Sequence, residues 1–202
     1  MSTDKLIVIT PEHALDHETD LWIQLLEVGV GKIHVRKPGM SVEHLLGLVT
    51  KVPSPYRDKI TVHYYPEVTL KAKTRGLHLS YEHIIKGRVI LPAHHELSAS
   101  THSWDEARKA LKTCSYCFIS PVYNSISKKG YHANPDLSHV PDDLKGHKIF
   151  ALGGISQQNI KEVLNMGFYG AAVMGTLWEQ PDTAIEKAAT LIQEIYRENT
   201  YS

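Results

Sequence analysis

The sequence predicts a closed (β/α)8 TIM barrel, and three features predict it. Short runs rich in β-branched and apolar residues recur about every 25 residues, each followed by an amphipathic stretch, the pattern of repeated βα units on a parallel sheet. Eight such runs can be counted. The seventh and eighth end in glycine-rich turns, where barrels of this kind often build a phosphate site. An open doubly wound sheet is the competing architecture, and the strand count and the two turns favour closure. Residues 1–202 are read as one domain, short for this fold, so its connections must be brief.

Strands are expected at 6–10, 32–37, 59–64, 76–80, 97–103, 116–122, 148–153 and 170–177. Helices at 20–28, 42–49, 104–111 and 159–166 carry apolar residues at three- and four-residue spacing, and 183–197 forms a long amphipathic helix that closes the outer ring. Ser103, ahead of Trp-Asp-Glu, and Ser156, ahead of Gln-Gln-Asn, are the expected N-caps. Gly29, Gly76 and Gly167 follow helices, where a left-handed terminal residue is often required.

Lys+Arg and Asp+Glu balance at 22 each, so no net field favours nucleic acid or an acidic membrane surface. Any anion must be held by local geometry. The opening MSTDKLIVIT is too short in apolar residues for a secretion signal or a spanning helix, and a cytoplasmic protein is expected. Cys114 and Cys117 form a lone C-x-x-C with no second pair to complete a zinc site, and read as thiols where a buried strand begins.

The strongest chemical signal is Ala-Leu-Gly153-Gly154-Ile followed by Ser-Gln-Gln-Asn159. Glycines there let an oxyanion approach backbone N–H groups at a helix N-terminus. Its companion is Val173-Met174-Gly175-Thr176, a small-residue turn after the next strand. The segment from Ser120 to Tyr131 offers hydroxyls, two lysines and a glycine to a diphosphate. Alternation sends His34 and Arg36 to one side of the second strand, and a guanidinium turned inward needs an anionic partner. Thirteen histidines raise a metal question, with His63, His83 and His102 near strand ends. No i, i+4 pair flanks a glutamate, so acid–base roles suit them better than metal ligation.

The ordered set HVRK on strand two, GLHLS on four, SASTHSWDEA on five, SPVYNSISKKG on six, ALGGISQQNI on seven and GAAVMG on eight resembles the thiamine phosphate synthase and TenI family over almost the whole chain. The resemblance implies a place in thiamine biosynthesis. Family synthases join a hydroxymethylpyrimidine diphosphate to a thiazole phosphate, with magnesium on the leaving diphosphate. By matched position, Ser125, Ser127, Lys128 and Arg36 would hold the diphosphate and Ser100 would lie at the pyrimidine. Gly153, Gly154, Met174 and Gly175 would hold the thiazole phosphate through backbone amides.

This chain departs from the family where the metal belongs. The family's Asn-Asp pair reads His63-Tyr64, and its Gly-Gln-x-Asp run reads Ser80-Tyr81-Glu82-His83. Tyr64 and His83 thus replace the magnesium carboxylates, leaving Glu82 as the substitute ligand for a hard cation. On strand two the family lysine is Pro38, beside Lys37, and its glutamine is His34. The catalytic histidine of the TenI tautomerases aligns with Pro121.

Three functions are therefore expected to compete. A divergent transferase would set Lys128 and Arg36 on the leaving group. A thiazole phosphate isomerase would shuttle a proton through His34, His63 or His102. A non-catalytic binder would hold or deliver thiazole phosphate. The expected partners are this small phosphorylated substrate and, among proteins, a second copy of the chain or another enzyme of the pathway.

Overall fold

The structure is a computed structural model describing residues 4–87, 89, 91–124 and 132–197. Eight parallel strands close in chain order: β1 (Leu6–Ile9), β2 (Lys32–Val35), β3 (Ile60–His63), β4 (Gly76–Ser80), β5 (Glu96–Thr101), β6 (Tyr116–Ile119), β7 (Ile149–Leu152) and β8 (Gly170–Val173), with β8 pairing back onto β1. Around them lie α1 (Glu18–Glu27), α2 (Val42–Thr50), α3 (Ser54–Arg57), α4 (Pro66–Ala72), α5 (Tyr81–Ile85), α6 (Trp104–Ala110), α7 (Ile160–Asn165), α8 (Gly175–Trp178) and α9 (Ala184–Tyr196). The open sheet is thereby excluded. Among the described residues no helix is long and apolar enough to cross a membrane.

Most strands end earlier than their apolar patterns suggest. Residues such as Arg36, Tyr64, Ser120 and Gly153 leave the ladder and line the mouth of the barrel. The predicted eighth strand overruns into α8, because Leu177 and Trp178 reach the core from a helical turn, with Trp178 Nε1 donating to the Ile9 carbonyl at 2.7 Å. Between β6 and β7 the described residues hold two short 3-10 turns, at Pro135–Leu137 and Asp142–Leu144, in place of an amphipathic helix.

Ser103 caps α6 as expected, accepting from the Glu106 N–H at 3.3 Å, while the Glu106 carboxylate accepts from the His102 N–H at 2.7 Å. Ser156 does not cap α7. Asn159 stands at that position, and its side chain reaches back to the Ser156 N–H. Gly29 and Gly167 adopt φ of 110° and 92°, as a helix terminus requires, but Gly76 lies inside β4. There it makes room for the Thr61 side chain, which a Cβ would strike, and Lys73 takes the left-handed position after α4.

Alternation along the strands separates two interiors. Leu6, Val8, Ile33, Val35, Ile60 and Val62 face the helices and pack with Trp22, Leu25, Leu45 and Val49 in the main core. Each such side chain contributes roughly 1.5–3 kcal/mol through burial. The alternate residues fill the lumen. On the β1, β6, β7 and β8 side they are Ile7, Ile9, Phe118, Phe150 and Ala172. On the β2 to β5 side they are His34, Thr61, His63, His78 and Ser98, all buried. Cys114 and Cys117 are free and buried, and burial pushes their thiols up to about 11 and about 12, which leaves them protonated and inert at neutral pH.

Candidate functional site

The mouth of the barrel at the carboxyl ends of the strands holds a cavity of about 270 Å³. Backbone turns from β7 and β8 form one wall, with Gly153, Gly154, Ile155, Met174, Gly175 and Thr176. The two strands are neighbours in register, Leu152 opposite Ala172, so their turns are necessarily adjacent. Gly153 and Gly154 sit at φ of 100° and 63°, the left-handed region that glycine enters without strain. A Cβ on Gly154 would also run into the Asn124 carbonyl oxygen.

Hydrogen bonds hold this wall in one orientation. The Gly153 carbonyl accepts from the Tyr123 N–H at 3.2 Å, and the Gly154 carbonyl from Asn159 Nδ2 at 2.9 Å. The Ile155 carbonyl accepts from the Thr176 hydroxyl, which ties the β7 turn to the β8 turn. In a planar trans peptide the N–H points opposite to the preceding carbonyl. The Gly154, Ile155 and Ser156 amides are therefore turned away from those three partners. Ser156 donates to Asn159 Oδ1, whereas among the described residues the Gly154, Ile155, Gly175 and Thr176 amides have no main-chain acceptor. Such amides on a cavity wall are donors for an anion.

Arg36, placed beyond β2, lines the same cavity and pairs with Glu12 on the loop after β1. The anionic partner anticipated for an inward guanidinium is this carboxylate. Lys37 points elsewhere. Its Nζ is buried between Glu18 Oε1 at 2.7 Å, the Pro11 carbonyl at 2.8 Å and the His13 carbonyl at 2.7 Å, so it braces the first loop and cannot replace a pocket lysine. Ser80, Ser100 and Ser120 add hydroxyls to the lining, and Phe118 supplies an aromatic floor.

His102 lies at the exposed rim, with Nδ1 2.9 Å from the Ser120 carbonyl. A carbonyl can only accept, so Nδ1 is the donor in this contact. Ser125, Ser127 and Lys128 lie outside the described residues.

Below this mouth lies a cluster that sequence reading missed. His34 Nδ1 is 3.0 Å from His63 Nε2, His34 Nε2 is 2.8 Å from the Tyr116 hydroxyl across the lumen, and His78 lies between Ser98 and Ser100 at 2.8 Å each. Burial holds His34 and His63 well below the ordinary imidazole value and His78 at about 3, so the three rings are neutral. His34, His63 and His78 occupy inward positions on three consecutive strands, and strand register sets His63 directly opposite His78.

Among the described lining residues there is no Asp or Glu. Tyr64 borders the cavity at φ of 67°, His83 is exposed and bonded to Ser80, and Glu82 is exposed on α5 beside Lys86. These residues do not fit magnesium, which demands oxygen ligands in near-octahedral array.

A family model described as thiamine monophosphate synthase matches residues 6–177. The chain belongs to that family. Among its relatives, a thiamine-phosphate synthase of Prochlorococcus marinus is 27% identical over 173 residues, which cover 82% of this chain and 49% of that protein. The chain thus spans about half the length of that relative. A thiamine-phosphate synthase of Dictyoglomus turgidum is 25% identical over 192 residues, covering 90% and 86%. Among solved structures, a thiamine phosphate pyrophosphorylase from Bacteroides thetaiotaomicron superposes with a TM-score of 0.75 at 26% identity, over 95% of this chain and 97% of that one. A 3-hexulose-6-phosphate synthase reaches 0.72 at 17% identity, covering 94% and 99%, and shows the fold alone. Within the synthase family, then, this barrel combines a glycine-turn wall with a histidine-lined lumen.

Proposed function

We propose that the mouth of this synthase-family barrel binds thiazole phosphate and transfers to it a hydroxymethylpyrimidine group from its diphosphate. The single observation that carries the reading is the pair of tied glycine turns, whose residues line one cavity and whose amides at Gly154, Ile155, Gly175 and Thr176 lack main-chain acceptors among the described residues. Four N–H donors suit a phosphate monoester, and the positive charge of Arg36 in the same cavity suits a second anion. In the step itself, the thiazole nitrogen forms a bond to the pyrimidine methylene carbon. The bond from that carbon to the diphosphate oxygen breaks, and diphosphate leaves with the electron pair. Arg36 is assigned to the departing diphosphate, exchanging Glu12 for it, with Ser125, Ser127 and Lys128 assigned there by sequence position. Ser100 is assigned to the pyrimidine. The test is to incubate the protein with both substrates and quantify thiamine phosphate and diphosphate. Equal release of the two is expected, and no product at stoichiometric enzyme, with thiazole phosphate still bound, rejects the transferase.

A second reading keeps the phosphate wall and uses His102 as a proton carrier, favoured by its fixed Nδ1–H at the rim. Such a group contributes about 10²- to 10⁴-fold to proton transfer. Solvent deuterium would then enter bound thiazole phosphate, and the absence of exchange dismisses it.

A further inference from the structure

We infer that His34, His63 and His78 form a binding site for a single divalent transition metal of the zinc class, set in the barrel lumen beneath the phosphate wall. Each ring offers one nitrogen, and these nitrogens all lie within 4.8 Å of one another. Three imidazoles bound at about 2.0–2.1 Å in tetrahedral array place their nitrogens about 3.3 Å apart. The His34–His63 pair is already at 3.0 Å, and the His78 nitrogen lies within 4.8 Å of both.

The surroundings are arranged as a metal's outer partners are. An imidazole ligand commonly donates its second N–H to an acceptor that fixes the ring. His34 Nε2 meets the Tyr116 hydroxyl, which in turn reaches Thr61 Oγ1 at 3.3 Å, so the tyrosine can accept from the histidine and donate onward. That leaves His34 Nδ1 as a lone pair facing His63. His78 has a serine hydroxyl on each nitrogen, and Ser98 passes its own proton toward the Leu77 carbonyl at 3.4 Å. The ring keeps one lone pair.

Ligands must be deprotonated, and burial already keeps these rings neutral. Access exists as well, since His63 lines the cavity while His34 and His78 are fully buried. The donor set is nitrogen throughout, which selects zinc, cobalt or nickel over magnesium. A site of three histidines also leaves a fourth position for water or a substrate oxygen.

The experiment strips the whole protein with a chelator, loads it with Co2+ or Zn2+, dialyses, and measures retained metal by mass spectrometry. About one equivalent is expected per chain. The cobalt form should show the intense visible absorption of a four- or five-coordinate ion, lost when zinc is added. His63→Ala, at the rim of the cluster, should lose retention at least tenfold, while His83→Ala and His94→Ala, on exposed histidines, should retain it. Thermal melting of stripped His63→Ala establishes that it folds. Retention below a tenth of an equivalent overturns the inference. So does retention unchanged in His63→Ala, or a weak octahedral cobalt spectrum, and that spectrum decides the matter in the unmutated protein should the variant not fold. Thiazole phosphate binding is measured in parallel, so that loss of one site is distinguished from loss of the other.

Discussion

The two halves of the lumen solve different problems with different materials. On the β7 and β8 side the recognition groups are peptide amides, exposed because glycines carry no side chain and because Tyr123, Asn159 and Thr176 occupy the opposing carbonyls. On the β2 to β4 side they are imidazoles, buried and interlocked through hydroxyls. The backbone wall depends on φ and on steric clearance, and is indifferent to pH. The imidazole side depends on protonation state. Each half can therefore be broken by a perturbation that spares the other.

The largest effect is expected at Gly154. Alanine there must hold φ of 63° and also clear the Asn124 carbonyl oxygen and the Tyr123 side chain. The turn shifts, its amides lose convergence, and thiazole phosphate affinity falls about 100-fold, or about 2.7 kcal/mol. Gly146→Ala is the control: φ is 85° there, yet nothing lies within 4 Å of the added Cβ. It should cost about 1 kcal/mol of stability and leave affinity unchanged. Titration calorimetry of both variants checks this, and equal affinities for Gly154→Ala and the unmutated chain would break the backbone half of the comparison.

The next effect is acid sensitivity, and it belongs to the imidazole half. In the unfolded chain a histidine takes up its proton near pH 6.5, whereas folded His78 does so only at about 3. Between these values the unfolded state binds more protons, so stability is fully present above about pH 6.5 and declines as pH falls toward 3. For His78 alone the loss at pH 5 is on the order of 2 kcal/mol. His34 and His63 act in the same direction. Urea midpoints of chelator-treated protein at pH 7 and pH 5 measure it, and a His78→Gln variant should show the shallower decline.

The same contrast explains how much of the molecule is legible in its sequence. The eight strands, closure, Ser103 and the two glycine turns are local signals: periodicity, a capping residue, a residue type with unusual φ. Ser156 and Gly76 misled because Asn159 and Thr61, three and fifteen residues away, decide their roles. The imidazole cluster has no local signature. His34, His63 and His78 are spread over three strands, and Tyr116 reaches His34 from across the lumen, so only strand register brings them together. Alternation placed His34 on the Arg36 side but could not say that His78 would stand beside it.

A smaller effect sharpens the boundary between the halves. Arg36 stands on the histidine side but lines the mouth, where the proposal assigns it to the diphosphate, and its charge is matched by Glu12. Arg36→Gln should weaken diphosphate binding about tenfold, or about 1.4 kcal/mol, and leave thiazole phosphate on the glycine wall unaffected. Competition calorimetry with inorganic diphosphate and with thiazole phosphate separates the two. Equal losses for both ligands would mean one shared anion site and not two.

The smallest effect is at the hydroxyls that orient His78. Ser98 is fully buried, whereas Ser100 borders the cavity, where water can replace a lost hydroxyl. Ser98→Ala leaves His78 Nδ1 without its partner and should cost about 1 kcal/mol, with Ser100→Ala costing less. Thermal or urea unfolding of the two single variants checks the order. The order follows from solvent access, because the two hydroxyls contact the same ring at the same 2.8 Å distance. Were Ser100→Ala the costlier change, Nε2 of His78 would be the nitrogen that carries the proton, and the lone pair assigned to the cluster would point at Ser98 instead.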